Sequence, residues 1–115
     1  MEKIESFITK IKANPASISF AEVISFIDEN YLFSPTSFKN GDQINASGQN
    51  NGSCKIFYFG LLNQLSEAET LACFGDYYRV EVLKNPEGID HQNIRNFMIS
   101  GWEGISFDGI ALSLK

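Results

Sequence analysis

Two stretches in the first third of the chain have apolar residues spaced as on one face of a helix. In the first stretch they stand at positions i, i+3, i+4 and i+7, which predicts a helix that ends before Pro15. The second stretch follows Ser19-Phe20-Ala21-Glu22, which has the spacing of a capping box, and it predicts a helix from Phe20 to about Asn30. The apolar positions of the two helices are Ile4, Phe7, Ile8, Ile11, Phe20, Val23, Ile24 and Ile27.

From residue 31 the pattern changes to short extended segments. Asn40-Gly41 separates two of them, and Asn-Gly between apolar segments is the strongest short-range signal for a β-hairpin. We expect Phe38 and Ile44 to point inward. Pro35 favours an edge position, because proline has no backbone N–H to donate.

The longest apolar stretch, Cys54 to Leu65, predicts a helix at the centre of the domain. Its apolar side chains fall on every face, and a helix of that kind must be surrounded by protein. The loop before it, Gly48 to Ser53, is rich in amides and has no apolar residue. Because the N-terminus of a helix offers unpaired N–H groups and a partial positive charge, we expect a binding site at this junction.

Two further helices are predicted in the second half of the chain. Ser66-Glu67-Ala68-Glu69 repeats the capping-box spacing and begins a helix that ends before Pro86. Asp90 is expected to cap a helix from His91 to about Ser100, with Gly101 at its C-terminal end and Trp102 against its last turn. The residues expected to be buried are Leu71, Ala72, Phe74, Tyr77, Tyr78, Ile94, Phe97 and Met98.

Residues 105–112 alternate in polarity on both sides of Asp108-Gly109 and predict a second hairpin. Together these elements predict an α+β fold with about five helices around the central helix 54–65. The two hairpins are expected to share one small antiparallel sheet. A length of 115 residues fits a single domain over residues 1–115, and 43% hydrophobic content excludes a disordered chain.

Charge and cysteine content limit the classes of partner. A net charge of −5 argues against nucleic-acid binding, which needs clustered Lys and Arg. No apolar stretch reaches the roughly 18 residues of a membrane span, and the N-terminus has no apolar signal core. We therefore expect a cytoplasmic protein that binds neither nucleic acid nor membrane. Cys54 and Cys73 are expected to be free thiols, with Cys73 in the core.

The segment from Gly48 to Lys55 has some features of a phosphate-binding loop. Its glycine spacing does not fit, however, and no buried strand precedes it, so a turn capped by Ser53 is the favoured interpretation. We expect no cofactor. One histidine and two separated cysteines give no spacing typical of a metal site, so we expect no metal either.

Cys54 and His91 are weak candidates for catalysis. Their order along the chain is that of a papain-type thiol hydrolase, in which a helix N-terminus and an imidazole lower the pKa of the thiol. The match is loose, because Lys55 stands where an aromatic residue is expected. The alternative is a free thiol at a helix start and a surface histidine.

Polar residues in segments 76–79 and 91–96 are candidates to close a pocket over the 48–55 loop. Their hydroxyl, guanidinium and amide groups can bind a small polar ligand. The alternative is a structural network in which the arginines pair with carboxylates and the amides bond to loop backbone. The candidate ligand-binding residues are Gln49, Asn50, Asn51, Ser53, Lys55, Tyr78, Arg79, His91, Asn93 and Arg95.

Four segments, in order, resemble the signature segments of the HopJ type III effector protein family. They are FSPTSFKNGD at 33–42, GQNNGSCKIF at 48–57, LACFGDYYR at 71–79 and DHQNIRNFM at 90–98. The resemblance covers nearly the whole chain and implies a bacterial protein named after a plant-pathogen effector, with no assigned catalytic residues. A secreted virulence effector is therefore one alternative. The early acidic residues and patterned first helix favour a small cytoplasmic binding or accessory protein, and a Cys-dependent hydrolase is a third alternative.

Overall fold

The computed structural model describes residues 2–115, and it confirms the α+β class. A π-helical turn, Tyr77–Val82, lies between the fourth and fifth α-helices, and short 3-10 turns cover Pro15–Ser17 and Gly101–Gly104. None of the described helices is long and apolar enough to cross a membrane. The α-helices are α1 (Glu2–Ala13), α2 (Phe20–Asn30), α3 (Asn51–Leu62), α4 (Glu67–Ala72) and α5 (Gln92–Ser100).

Five short strands form two small antiparallel sheets. They are β1 (Tyr31–Phe33), β2 (Phe38–Asn40), β3 (Gln43–Asn45), β4 (Ile105–Phe107) and β5 (Leu112–Leu114). The first hairpin, β2–β3, is confirmed, but the second is wrong, because β4 pairs with β2 while β5 pairs with β1. Long-range pairing prevails since it stacks Phe107 on Phe38 with ring centroids 5.2 Å apart and buries Leu112.

The register of β2 with β3 reverses one prediction about the core. Phe38 is buried as expected, but Ile44 is 75% exposed. The residue paired with Phe38 is Asn45, and Ile44 pairs with Lys39 on the solvent side. Since paired residues share a face of the sheet, this register places an asparagine in the core.

The central position of α3 is confirmed, although the helix begins three residues earlier than predicted and ends at Leu62. Phe57 and Phe59 are both fully buried. Each ring contacts a different aromatic group: Phe57 meets Phe38, Phe74 and Phe97, while Phe59 meets Phe7, Phe26 and Tyr31. The helix thus joins the two halves of the core.

The fourth predicted helix does not continue to Pro86, because the backbone leaves the α-helical conformation at Gly75. Gly75 has a φ of +61°, and a Cβ there would stand 2.7 Å from the backbone N of Phe20. Only glycine fits both conditions. The chain then continues as the π-helical turn, so that Tyr77 is 41% exposed and Tyr78 only half-buried, contrary to the prediction.

The fifth helix is confirmed, with corrections at its start and on one face. Asp90 does not cap it, since the residue before α5 is His91 and no side chain caps that helix end. Ile94 and Phe97 are buried as expected, but Met98 is 45% exposed. Gly101 ends the helix and Trp102 packs edge-on against Phe97 with centroids 5.0 Å apart, as predicted.

Candidate functional site

A cleft of about 520 Å³ opens where the N-termini of α3 and α5 meet. Asn50 precedes α3 and His91 precedes α5, and both adopt the left-handed backbone conformation. The cleft is lined by Phe20, Gln43, Asn50, Gly52, Ser53, Phe74, Tyr77, His91, Gln92, Asn93 and Ile94. Residues from widely separated parts of the chain therefore meet at one concave surface.

The two helix ends at the cleft lack the side-chain caps that α2 and α4 have. Ser19 and Ser66 each head a complete capping box, on α2 and α4. At α3 and α5 no side chain bonds to the first-turn N–H groups. These groups remain available to other acceptors.

A buried network of asparagine amides forms the floor beneath the cleft. Asn45 Oδ1 accepts hydrogen bonds from Asn50 Nδ2 at 2.7 Å and from Asn93 Nδ2 at 3.0 Å. Asn93 Oδ1 in turn accepts from Asn40 Nδ2 at 3.0 Å and from Asn45 Nδ2 at 3.2 Å. Asn40, Asn45 and Asn93 are all buried. The network ties β2 and β3 to the starts of α3 and α5, which fixes the position of both helix ends.

Aromatic rings form the opposite wall. Tyr77 stands between Phe20 and His91, with ring centroids 5.1 Å and 5.3 Å away. Phe74 lies behind Phe20, at 6.5 Å. A Cβ at Gly52 would stand only 3.0 Å from the Phe20 ring, so glycine allows α3 to approach this wall.

His91 is held at the rim of the cleft by acidic neighbours. Its Nε2 lies 2.8 Å from Glu81 Oε1 and 3.8 Å from Asp90 Oδ2. The other oxygen of Asp90 accepts a 2.7 Å hydrogen bond from the Arg95 guanidinium, which lowers the pKa of that carboxyl group. Arg95 also donates to the carbonyl of Asn85, so it fastens the loop that leads into α5.

Four of the predicted ligand-binding residues line the cleft, namely Asn50, Ser53, His91 and Asn93. Gln49 lies beside it and accepts a hydrogen bond from the Ala46 N–H at 3.1 Å. Asn51 is exposed in the first turn of α3 but does not line the cleft.

The charged residues predicted for the pocket lie elsewhere. Lys55 pairs with Asp28 at 2.8 Å and covers the Phe33 ring, on another face of α3. Arg79 donates to the carbonyls of Pro15, Ile18 and Ala72. Arg79 and Arg95 therefore hold backbone segments together. The arginine–carboxylate pairs of the structural alternative are Arg95 with Asp90 at 2.7 Å and Arg79 with Asp76 at 3.8 Å. Tyr78 packs against the core and does not line the cleft.

Cys54 and His91 have different hydrogen-bond partners in the structure. The Cys54 thiol is buried and donates to the Thr36 carbonyl at 3.9 Å, while the nearest polar partner of the His91 ring is Glu81. Burial raises the pKa of Cys54, which is the opposite of what a thiolate nucleophile needs. Cys73 is in the core, as predicted.

Seven of the eleven described lining residues are not among the ligand-binding residues predicted from the sequence. Phe20 and Phe74 have a helical apolar spacing that predicts core. Asn40, which belongs to the network beneath the cleft, has the pattern of a simple turn. The register that turns Asn45 inward has no local signal. The proximity of Gly52 to Phe20 is also a long-range contact.

The chain is similar to known proteins in sequence and in structure. A family model described as HopJ type III effector protein matches residues 4–112. A crystal structure described as that of the unknown function protein VPA0580 superposes with a TM-score of 0.95 at 51% identity, covering 96% of this chain and 92% of that one. No curated protein matches the sequence.

Proposed function

Because the chain belongs to the HopJ family, we propose that the cleft between α3 and α5 is a binding site for a small polar ligand, as in a binding or accessory protein. The observation that carries this proposal is that the four segments that resemble the HopJ signature meet at or beneath the cleft. Segments 48–57, 71–79 and 90–98 each line the cleft. Segment 33–42 supplies Asn40 to the network beneath it.

The lining offers unused hydrogen-bonding groups for such a ligand. Among residues 2–115, Ser53 Oγ and Asn50 Oδ1 have no partner within hydrogen-bond distance. The amide floor is rigid because its buried members are bonded to one another, so the free groups beside it are held in fixed positions. Concave sites with a few fixed polar groups are typical of small-molecule binding.

The composition of the lining limits the charge of the ligand. No lysine or arginine is among the described lining residues, and the whole chain carries a net charge of −5. A polyphosphate would need paired cationic side chains. The aromatic wall instead suits a ligand with an apolar face, and the amides suit polar groups along its edge. A neutral or singly charged metabolite fits both the aromatic wall and the polar amide groups.

A metabolite screen by thermal shift tests this proposal. A ligand at 100 times its dissociation constant stabilises by about 2.7 kcal/mol, which raises the melting temperature of a domain of this size by several degrees. Ser53→Phe should fill the cleft and abolish the shift. Asn51→Phe is the matched control, because residue 51 belongs to the same helical turn but does not line the cleft. A ligand that binds both variants equally occupies another site.

The family description supports a second candidate, a secreted effector that acts on a host. That function requires translocation through a type III system. A reporter fused to residues 1–50 should then be delivered by a secretion-competent strain and retained by a secretion-deficient one. A reporter retained by both strains contradicts the effector function for this chain.

A further inference from the structure

Three metal-ligating side chains converge at the rim of the cleft. One ligand atom each of Glu81, Asp90 and His91 lies within 4.8 Å of the other two. Glu81 comes from the π-helical turn, while Asp90 and His91 are consecutive residues before α5. The fold thus brings an imidazole nitrogen and two carboxylate oxygens to one point from two elements.

The spacing of these atoms suits a small divalent ion. Ligands bonded to zinc at about 2.0–2.2 Å in a tetrahedron stand about 3.3–3.6 Å from one another. The two distances from His91 Nε2, 2.8 Å to Glu81 and 3.8 Å to Asp90, lie on either side of that range. Both carboxylate side chains are about half exposed. Because the Glu81 and Asp90 ligand atoms lie within 4.8 Å of each other, side-chain movements of about 1 Å would bring all three atoms into that range.

The local charge also favours a cation. Glu81 has no lysine or arginine partner in the described part of the chain, and its close ionisable neighbours are His91 and the Asp90 carboxylate. Arg95 neutralises one oxygen of Asp90 and leaves the other directed toward His91. An arginine bonded to the far oxygen of a ligating carboxylate is an outer-shell contact of the kind that orients metal ligands.

From these contacts we propose that Glu81, Asp90 and His91 bind a divalent transition-metal ion, with zinc(II) as the ion that the ligand set suits. Zinc accepts both imidazole nitrogen and carboxylate oxygen, and three protein ligands leave a coordination position open. His91 also lines the cleft, so an ion bound to it would lie at the rim of the cleft. The hydrogen bond between His91 and Glu81 is then the metal-free arrangement of the same groups.

The single histidine of the chain allows a direct test on untagged protein. Titration with zinc chloride should shift the His91 imidazole nitrogen resonances to the pattern of an Nε2-bound metal, and calorimetry should give the affinity. Glu81→Gln and Asp90→Asn should each weaken zinc binding about tenfold or more, since each removes a ligand charge. Glu87→Gln, an exposed acid in the same loop, is the matched control and should leave the affinity unchanged.

Two results would overturn the metal site. The first is an imidazole spectrum that does not change at millimolar zinc. The second is unchanged affinity in both Glu81→Gln and Asp90→Asn, which would mean an adventitious ion on a lone histidine. Zinc bound to Cys54 or Cys73 would not imitate the expected result, because the imidazole signals report only His91. Ser53→Phe should keep the zinc affinity, so the metal site and the ligand cleft are tested independently.

Discussion

Asn50 and His91 share one backbone conformation, with φ values of 53° and 51°, and each precedes one of the two helices at the cleft. The left-handed conformation costs residues other than glycine about 1–2 kcal/mol in conformational energy, and the cost is smaller for asparagine than for most. The asparagine network holds the Asn50 side chain, and Glu81 holds the His91 ring. The surrounding structure therefore offsets local strain at both entrances to the cleft.

The strain at residue 50 can be separated from its hydrogen bond. Asn50→Gly and Asn50→Ala both lose the bond to Asn45, but only glycine adopts the left-handed conformation without cost. We expect the alanine variant to be about 1 kcal/mol less stable than the glycine variant in urea unfolding. Equal stability of the two would show that the loop relaxes to another conformation.

Asn93 is expected to be the most sensitive member of the amide network. Asn93→Ala removes one hydrogen bond from the buried amide of Asn40 and two from that of Asn45, which should cost about 2–4 kcal/mol in free energy of unfolding. The control is Asn96→Ala on the same helix, whose bonds to Asn40 and Gln43 are longer, at 3.3 Å and 3.4 Å. It should cost less than about 1 kcal/mol. Similar losses in the two variants would contradict a central role for Asn93.

Gly75 and Gly48 form a natural pair for testing the break after α4. Both have positive φ, but only at Gly75 would a Cβ collide with backbone, whereas Gly48 has open space around it. Gly48→Ala should therefore cost about 1 kcal/mol, and Gly75→Ala about 3 kcal/mol or more. Chemical denaturation measures both. A Gly75→Ala variant with only a small loss of stability would mean that the backbone near Phe20 shifts easily to accommodate the new methyl group.

Stability at alkaline pH should depend on Cys73. Burial, with a smaller effect of Glu69, raises the pKa of this thiol from 9.0 to about 12. The folded state therefore favours the protonated thiol, and this stabilisation is complete below pH 9 and lost as pH rises from 9 toward 12. The loss approaches about 1.4 kcal/mol per pH unit.

Comparison with Cys73→Ala isolates this thiol, because tyrosine and lysine titrations are common to both proteins. The difference in free energy of unfolding between wild type and variant should be constant up to pH 8 and shrink above pH 9. A difference that stays constant to pH 10.5 would show that the Cys73 pKa is not raised.

Alkylation of Cys54 should be slow at neutral pH. Its pKa is raised by burial, and its thiol lies against Thr36 and away from the cleft. His91→Ala and Asn51→Ala should both leave the iodoacetamide rate unchanged, because neither residue touches the sulfur, whereas denaturant should increase it strongly. Slower alkylation in His91→Ala would restore the catalytic-pair hypothesis.

Local signals in the sequence predicted the helices well. Ser19 with Glu22 and Ser66 with Glu69 form complete capping boxes at the predicted helix starts. Such signals work because every partner lies within a few residues. The apolar character of α3 on all sides likewise predicted its central position, since burial depends on composition as much as on neighbours.

The errors arise where distant residues decide the outcome. The π-helical turn follows from the contact of Gly75 with Phe20, more than 50 residues away. Asn45 is buried only because its register with Phe38 turns it inward. A cleft lies at the helix start where a binding site was predicted, with Asn50 and Ser53 in its lining, but its aromatic wall depends on contacts that no local pattern encodes.

The pairing of β1 with β5 has a consequence for the order of folding. Tyr31 pairs with Leu114, about 80 residues further along the chain. The conformational entropy lost in closing this long loop therefore opposes the pairing until the strand contacts have formed. We expect the helices and the β2–β3 hairpin to form first and β5 to dock last. Until then the edge of β1, with its exposed Leu32, is open to strands of other molecules. Aggregation during refolding should therefore begin at residues 31–33.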